Sequence, residues 1–189
     1  MKATIYGIGL SLVLAMNFGA YTVDQKGEEE MSKESLQVGD IAPDVEFVAG
    51  YDSNGNAVLK KLSDFQGKKN VLVAFYPKAF TSGCTKQLCG YRDDIEDLKT
   101  HDLEIIAVSA DEQSESDRFK EHHQYPFVVV GDSEKKIINA FKVPVSPSGN
   151  ATRSVFLIDK KGKIAYIDLS YKVEEGKAPL YEAIKNLGN

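Results

Sequence analysis

Polar and apolar residues alternate from Asp44 to Ala49 (DVEFVA), as they do in a half-buried strand. Asn54-Gly55 supplies a hairpin turn and Ala57 to Leu62 returns. Val71 to Tyr76 (VLVAFY) is an unbroken apolar run, which suits a central strand covered on both faces. From Cys84 to Thr100 the period changes: Leu88, Tyr91, Ile95 and Leu98 recur every three or four residues and predict a helix. Leu103 to Ser109 (LEIIAVS) is the next buried strand, Ser114 to Glu121 a polar surface helix, and Phe127 to Val130 (FVVV) a third strand. Lys135 to Phe141 predicts a short helix. Ser154 to Asp159 and Lys163 to Leu169 flank a Lys-Lys-Gly turn as a second hairpin, and Leu180 to Leu187 closes the chain as a helix. Strands alternating with helices, followed by an antiparallel pair, predict an α/β sandwich built on a mixed sheet, with parallel crossovers first.

The N-terminal segment has a different pattern. Lys2 is the only charge before Asp24, and Ile5 to Met16 is mostly apolar. A basic start and an apolar run mark a secretory signal. Without cleavage, Ala3 to Val23 has the roughly 20 residues that a membrane anchor needs. Residues 24–35 (DQKGEEEMSKES) carry five acids and two lysines with no aromatic, which describes a solvated linker. The expected organisation is a signal or anchor over 1–23, a linker over 24–35 and one domain over 36–189. It places the protein outside the cytoplasm or on a membrane, with a cytoplasmic location as the alternative.

Composition narrows the function. The chain has 189 residues, 42% of them hydrophobic, and 23 basic against 28 acidic residues give a net charge of −5. An acidic surface repels phosphate backbones, so no nucleic-acid partner is expected. P-loop, GxGxxG and HExxH motifs do not occur. His101, His122 and His123 do not suggest a metal site, because neighbours on a helix diverge by about 100°. Two cysteines are too few for a disulfide-built scaffold.

Both of them, Cys84 and Cys89, lie in YPKAFTSGCTKQLCGYRD, which follows the most apolar strand and opens a helix. Ligands in open α/β sheets bind beyond the carboxyl ends of strands. At a helix start, unpaired N–H groups and the helix dipole favour the thiolate, the nucleophilic form of cysteine. By itself Cys84 reads as a small buried hydrophobe ahead of a nucleophile. Five residues along an ideal helix separate Cα atoms by about 8.7 Å, beyond the roughly 7 Å that a disulfide allows. A Cys84–Cys89 bond therefore requires the turn to unwind, which suits a redox switch better than a permanent staple. Arg92 and Asp93 read as a surface pair. Gln87 faces either Arg153 or solvent.

The segment PKAFTSGCTKQLC resembles the peroxiredoxin active-site loop, Pro-x-x-x-Thr-x-x-Cys, with Pro77, Thr81 and Cys84 at its fixed places. The second cysteine five residues on is similar to the Q-type, or bacterioferritin-comigratory, subfamily. QVGDIAPDVEF and RSVFLIDKKGKIAY extend the likeness over the domain. The resemblance implies a thioredoxin-like fold with an N-terminal hairpin, and a thiol peroxidase reducing hydrogen peroxide or organic hydroperoxides. It implies that Cys84 is peroxidatic, that Cys89 resolves it through an intramolecular disulfide, and that Thr81 holds the peroxide. Pro77 would shield the thiolate. Arg153 would stabilise charge on sulfur and on the leaving oxygen, and backbone N–H groups at Gly83 and Cys84 would add donors. Ser82 stands where the family usually has proline, and Val155 where it often has threonine. No cofactor or metal is implied, since cysteine carries both electrons. The implied partner is thioredoxin or a thioredoxin-like reductant, and catalysis within one chain is compatible with a monomer. The competing reading is a thiol–disulfide oxidoreductase or a redox sensor of the same fold. The oxidoreductase predicts Cys-x-x-Cys, which does not occur.

Overall fold

The computed structural model describes residues 35–187. The signal or anchor, and all of the acidic linker except Ser35, lie outside the described residues. The first hairpin pairs β1 (Glu46–Tyr51) with β2 (Ala57–Lys61) antiparallel, with a register shift between Val48 and Gly50. In the turn the Asp52 carboxylate accepts the Asn54 and Asn56 amides at 2.8 and 2.9 Å, while Gly55 takes φ +80°. That positive φ is why glycine follows Asn54.

The main sheet has five strands in the order β5-β4-β3-β6-β7. They are β3 (Asn70–Phe75), β4 (Leu103–Ser109), β5 (Val128–Gly131), β6 (Ser154–Ile158) and β7 (Ile164–Asp168). β3, β4 and β5 run parallel, β6 runs antiparallel to β3, and β7 is antiparallel to β6. The mixed sheet and both hairpins therefore appear as the pattern predicted.

Alternation along each strand divides the core into two layers. Leu72, Ala74, Tyr76, Ile105, Ala107, Val129, Val155 and Leu157 face one side. They pack against Leu88 and Tyr91 of α1 (Ser82–Asp93), Leu98 of α2 (Ile95–Lys99), Phe119 of α3 (Gln113–His123), and Leu180 and Ile184 of α5 (Val173–Leu187). Val71, Val73, Phe75, Ile106, Val108, Val130 and Phe156 face the other side, where they meet Ile137 and Ile138 of α4 (Lys136–Ala140) and Phe47 of the first hairpin. Every residue of β3 is buried, as its unbroken apolar run requires.

Two helices differ from expectation. The segment predicted as one helix over 84–100 is two, broken at Asp94 (φ −95°, ψ 8°). The Asp94 carboxylate is drawn to α5, where Lys177 Nζ lies 2.6 Å away and Tyr181 Oη donates at 2.7 Å. The last helix begins at Val173 rather than Leu180. Its first half, VEEGKAP, has no apolar stripe and contains both Gly176 and Pro179, so periodicity does not reveal it. Gly176 sits against the Tyr171 ring, where a Cβ would approach to 2.6 Å. β1 also starts two residues later than its alternation indicated. Among the described residues no helix is long and apolar enough to cross a membrane.

Candidate active site

Parallel β3 ends at Phe75 and the chain turns into α1 through residues 76–81. A neighbouring strand anchors this turn. Asp111, just past the end of β4, accepts the Ala79 amide at 2.8 Å and the Ser109 hydroxyl at 2.9 Å. Phe80 adopts φ +58°, an unfavourable conformation for an aromatic residue, and its ring packs 4.9 Å from that of Phe119. Thr81 is the N-cap of α1 in an extended conformation, and its carbonyl accepts the Thr85 amide at 2.9 Å.

This turn places Cys84 in the first turn of α1, where its side chain is 1% exposed. Arg153 approaches from the residue preceding β6. Its Nη2 donates to Cys84 Sγ at 3.4 Å, and its Nη1 donates to Gln87 Oε1. Buried Gln87 donates in turn to Tyr91 Oη at 3.3 Å. One guanidinium thus bridges the sulfur and a side chain one turn further along the same helix. Gly83 is the residue that permits this approach, since a Cβ there would lie 3.1 Å from Arg153 Nη2. A fixed positive charge and the N-terminal end of a helix converge on a single sulfur.

The other residues singled out from sequence lie around this pair. Pro77 follows β3 and is half-buried. The Thr81 hydroxyl is spent as a donor on the Lys78 carbonyl at 2.9 Å. Its lone pairs therefore remain to accept a bond from a ligand. Cys89, on the same helix, is partly buried, and both thiols are free. Its sulfur lies 3.8 Å from Tyr125 Oη. Gln87 faces Arg153 rather than solvent. Arg92 pairs with Asp93 at 2.8 Å, as a surface pair would, and also donates to the His123 carbonyl at 2.9 Å.

Sequence reasoning missed Tyr76, Asp111 and Tyr125. Tyr76 closes the apolar run of β3 and reads there as core; burial pushes its phenol up to about 12, so it stays neutral beside the site. Asp111 is one acid among many in a polar stretch. Tyr125 is 36 residues from Cys89, and no local pattern links them. Among the described residues no group of three or more His, Cys, Asp or Glu side chains has the arrangement of a metal site.

The AhpC/TSA family matches the chain over residues 38–167. Peroxiredoxin Bcp of Bacillus subtilis strain 168 is 36% identical over 159 residues, covering 81% of this chain and 98% of the relative. Peroxiredoxin Bcp of Escherichia coli K12 is also 36% identical, over 72% of this chain and 88% of its own length. Among solved structures, peroxidoxin BcpB of Mycobacterium tuberculosis superposes with a TM-score of 0.71 at 22% identity, covering 82% of this chain and 99% of that one. Peroxiredoxin Q of Xanthomonas campestris does so with a TM-score of 0.68 at 20% identity, covering 82% and 99%.

Proposed function

The chain belongs to the AhpC/TSA family, and from that premise we propose that Cys84 is its peroxidatic cysteine and Cys89 its resolving cysteine. The enzyme is a thiol peroxidase of the peroxiredoxin type, with a hydroperoxide substrate and a reductant of the thioredoxin type. The observation that carries the assignment to Cys84 is the 3.4 Å bond from Arg153 Nη2 to its sulfur at the start of α1.

The chemistry follows from that placement. The Cys84 thiolate attacks the terminal peroxide oxygen. An S–O bond forms, the O–O bond breaks, and the departing alkoxide or hydroxide takes up a proton to leave as alcohol or water. Arg153 faces the developing negative charge, and the backbone amides of Gly83 and Cys84 at the helix start supply further donors. Thr81, its own proton engaged by Lys78, accepts a bond from the hydroperoxide O–H and orients it. Pro77 excludes water from one side. Cys84 is left as a sulfenic acid. After the first turns of α1 unwind, the Cys89 sulfur attacks Cys84; an S–S bond forms, the S–O bond breaks, and hydroxide leaves as water with the Cys89 proton. A dithiol then exchanges with the disulfide and returns both thiols.

Because both sulfurs belong to one chain, a monomer suffices for turnover. The uncharged stretch from Ala3 to Val23 supports export or membrane anchoring, which would place the thioredoxin-like donor outside the cytoplasm.

The test is stopped-flow consumption of hydrogen peroxide by the reduced chain, beside Cys84→Ser and Cys89→Ser. Wild type reacts far faster than a free thiol, Cys84→Ser is inert, and Cys89→Ser completes one turnover and stops as the sulfenic acid. A wild-type rate no greater than that of free cysteine would defeat the assignment.

A further inference from the structure

The reduced site has to do two incompatible things. It must hold α1 wound so that Arg153 and the helix start act on Cys84, and it must let α1 unwind so that Cys89 can reach Cys84. The residue that faces Cys89 in the wound state is Tyr125, which no local pattern connects with the site. Its hydroxyl and the Cys89 sulfur are 3.8 Å apart, within reach of a weak hydrogen bond to sulfur.

Tyr125 cannot follow Cys89 if the helix moves. Its ring is stacked between His123, at 5.4 Å and 23°, and Phe127, at 5.3 Å and 15°, and the Phe119 ring meets it edge-on at 5.2 Å. The residue is 2% exposed. The backbone fixes it too. Gln124 closes α3 in the left-handed conformation (φ +54°, ψ 45°), and the Tyr125 amide donates back to the Lys120 carbonyl at 3.1 Å. Burial first, and then the neighbouring Cys89, hold the phenol above its ordinary range, so it stays protonated and able to donate to sulfur. Next to it, Arg92 ties α1 to the His123 carbonyl at 2.9 Å.

We propose that Tyr125 is a latch for the resolving thiol: its hydroxyl holds Cys89 against the α3–β5 connection while α1 is wound, and release of that contact sets how fast the Cys84–Cys89 disulfide forms. The proposal rests on Cys89 being the resolving cysteine. Its chemical consequence is the lifetime of the sulfenic acid at Cys84. A long-lived sulfenic acid meets a second peroxide, which transfers one oxygen, leaves as water or alcohol and converts Cys84 to the sulfinic acid. Two fates of one intermediate therefore compete, and Tyr125 acts on only one of them. It is a positioning residue, since in the wound state it touches the thiol that has yet to react.

The variant is Tyr125→Phe, which keeps the stacked ring and removes the hydroxyl. Reduced full-length protein is mixed with rising hydrogen peroxide and quenched with a thiol-alkylating reagent, and disulfide and sulfinic forms are counted by intact mass. The ratio of disulfide to sulfinic acid should rise about 2- to 10-fold, the range set by one net hydrogen bond. In the Cys89→Ser background the rate of the first peroxide step should be the same with Tyr or Phe at 125. Amide exchange in α1 should speed up by a similar factor while β3 and β4 are unchanged.

An unchanged or lower ratio overturns the latch, and so does exchange that quickens throughout the domain, which would mean Tyr125 only supports the fold. If wild type makes no Cys84–Cys89 disulfide at all, the resolving assignment falls and the latch with it. If the disulfide forms normally but its ratio to sulfinic acid ignores Tyr125→Phe, only the latch falls.

Discussion

Arg153→Met removes the guanidinium while keeping an unbranched apolar stem. With it goes the 3.4 Å bond from Nη2 to Cys84 Sγ. Two unit charges at that distance attract by about 1 kcal/mol in water and about 5 kcal/mol at an effective dielectric near 20. Cys84 is buried but Arg153 is half-exposed, and desolvating the pair offsets part of the attraction. A hydrogen bond to a charged group, worth about 1.5–3 kcal/mol, is the better guide. At about 1.36 kcal/mol per decade, the second-order rate constant with hydrogen peroxide should fall about 10- to 150-fold. The same substitution strips buried Gln87 of a donor, which costs about 1–3 kcal/mol of stability. Stability and reactivity can then be separated. Adding Gln87→Leu to Arg153→Met should recover part of the urea midpoint, the remainder being the bond that Gln87 donates to Tyr91, and leave the rate low. Stopped-flow kinetics and equilibrium denaturation on the two variants read both quantities. A rate within about threefold of wild type would refute the view that the guanidinium stabilises the reacting sulfur.

Three other outcomes follow from the same geometry. Gly83→Ala gains about 0.5–1 kcal/mol of helix preference but places a Cβ 3.1 Å from Arg153 Nη2, so thermal stability should hold or rise while the peroxide rate drops severalfold; equal rates would show that Arg153 yields without cost. Phe119→Ala empties a fully buried position that packs on Tyr76, Phe80, His123 and Tyr125, and urea unfolding should show a loss of about 3–5 kcal/mol. Burial raises the Asp94 carboxyl, but hydrogen bonds from Lys177 and Tyr181 outweigh it and leave the group below its ordinary value, which is about 3.9. A depressed carboxyl stabilises the fold above that pH and loses its contribution as pH falls through the folded value. The melting temperature of wild type should therefore fall more steeply between about pH 5 and pH 3 than that of Asp94→Asn, and parallel curves would remove the clamp between α1 and α5 from the account.

Local pattern was enough for the strands of the main sheet, and the chemistry of one segment followed from its resemblance to a family loop. VLVAFY is apolar throughout and LEIIAVS nearly so, with half-exposed Glu104 and the terminal Ser109 as its polar positions, because both faces of those strands are covered. Cys84 at the head of a helix was legible because a turn sequence, Thr81-Ser82-Gly83, abuts a 3.6-residue apolar period. The failures have a common origin. Asp94 ends α1 by bonding to Lys177 and Tyr181, more than eighty residues away, and no rule about caps within residues 84–100 could show it. The start of α5 is masked by Gly176 and Pro179, and the glycine is there for the Tyr171 ring.

The sequence alone determined the α/β class and a pair of cysteines too far apart on a helix to bond without unwinding, while the thiol chemistry came from the resemblance of one loop to a known family. Each of these depends on backbone periodicity or on residue type, and both act over a turn or two of chain. Tertiary structure set the Arg153 guanidinium, which the family resemblance had singled out, against Cys84, and decided that Gln87 rather than solvent takes its second arm and that the Tyr125 hydroxyl lies against Cys89. Contacts between residues 36 or 69 positions apart exist only once β3, β4, β5 and β6 lie in one sheet. Their strength comes from burial, which no stretch of sequence achieves on its own.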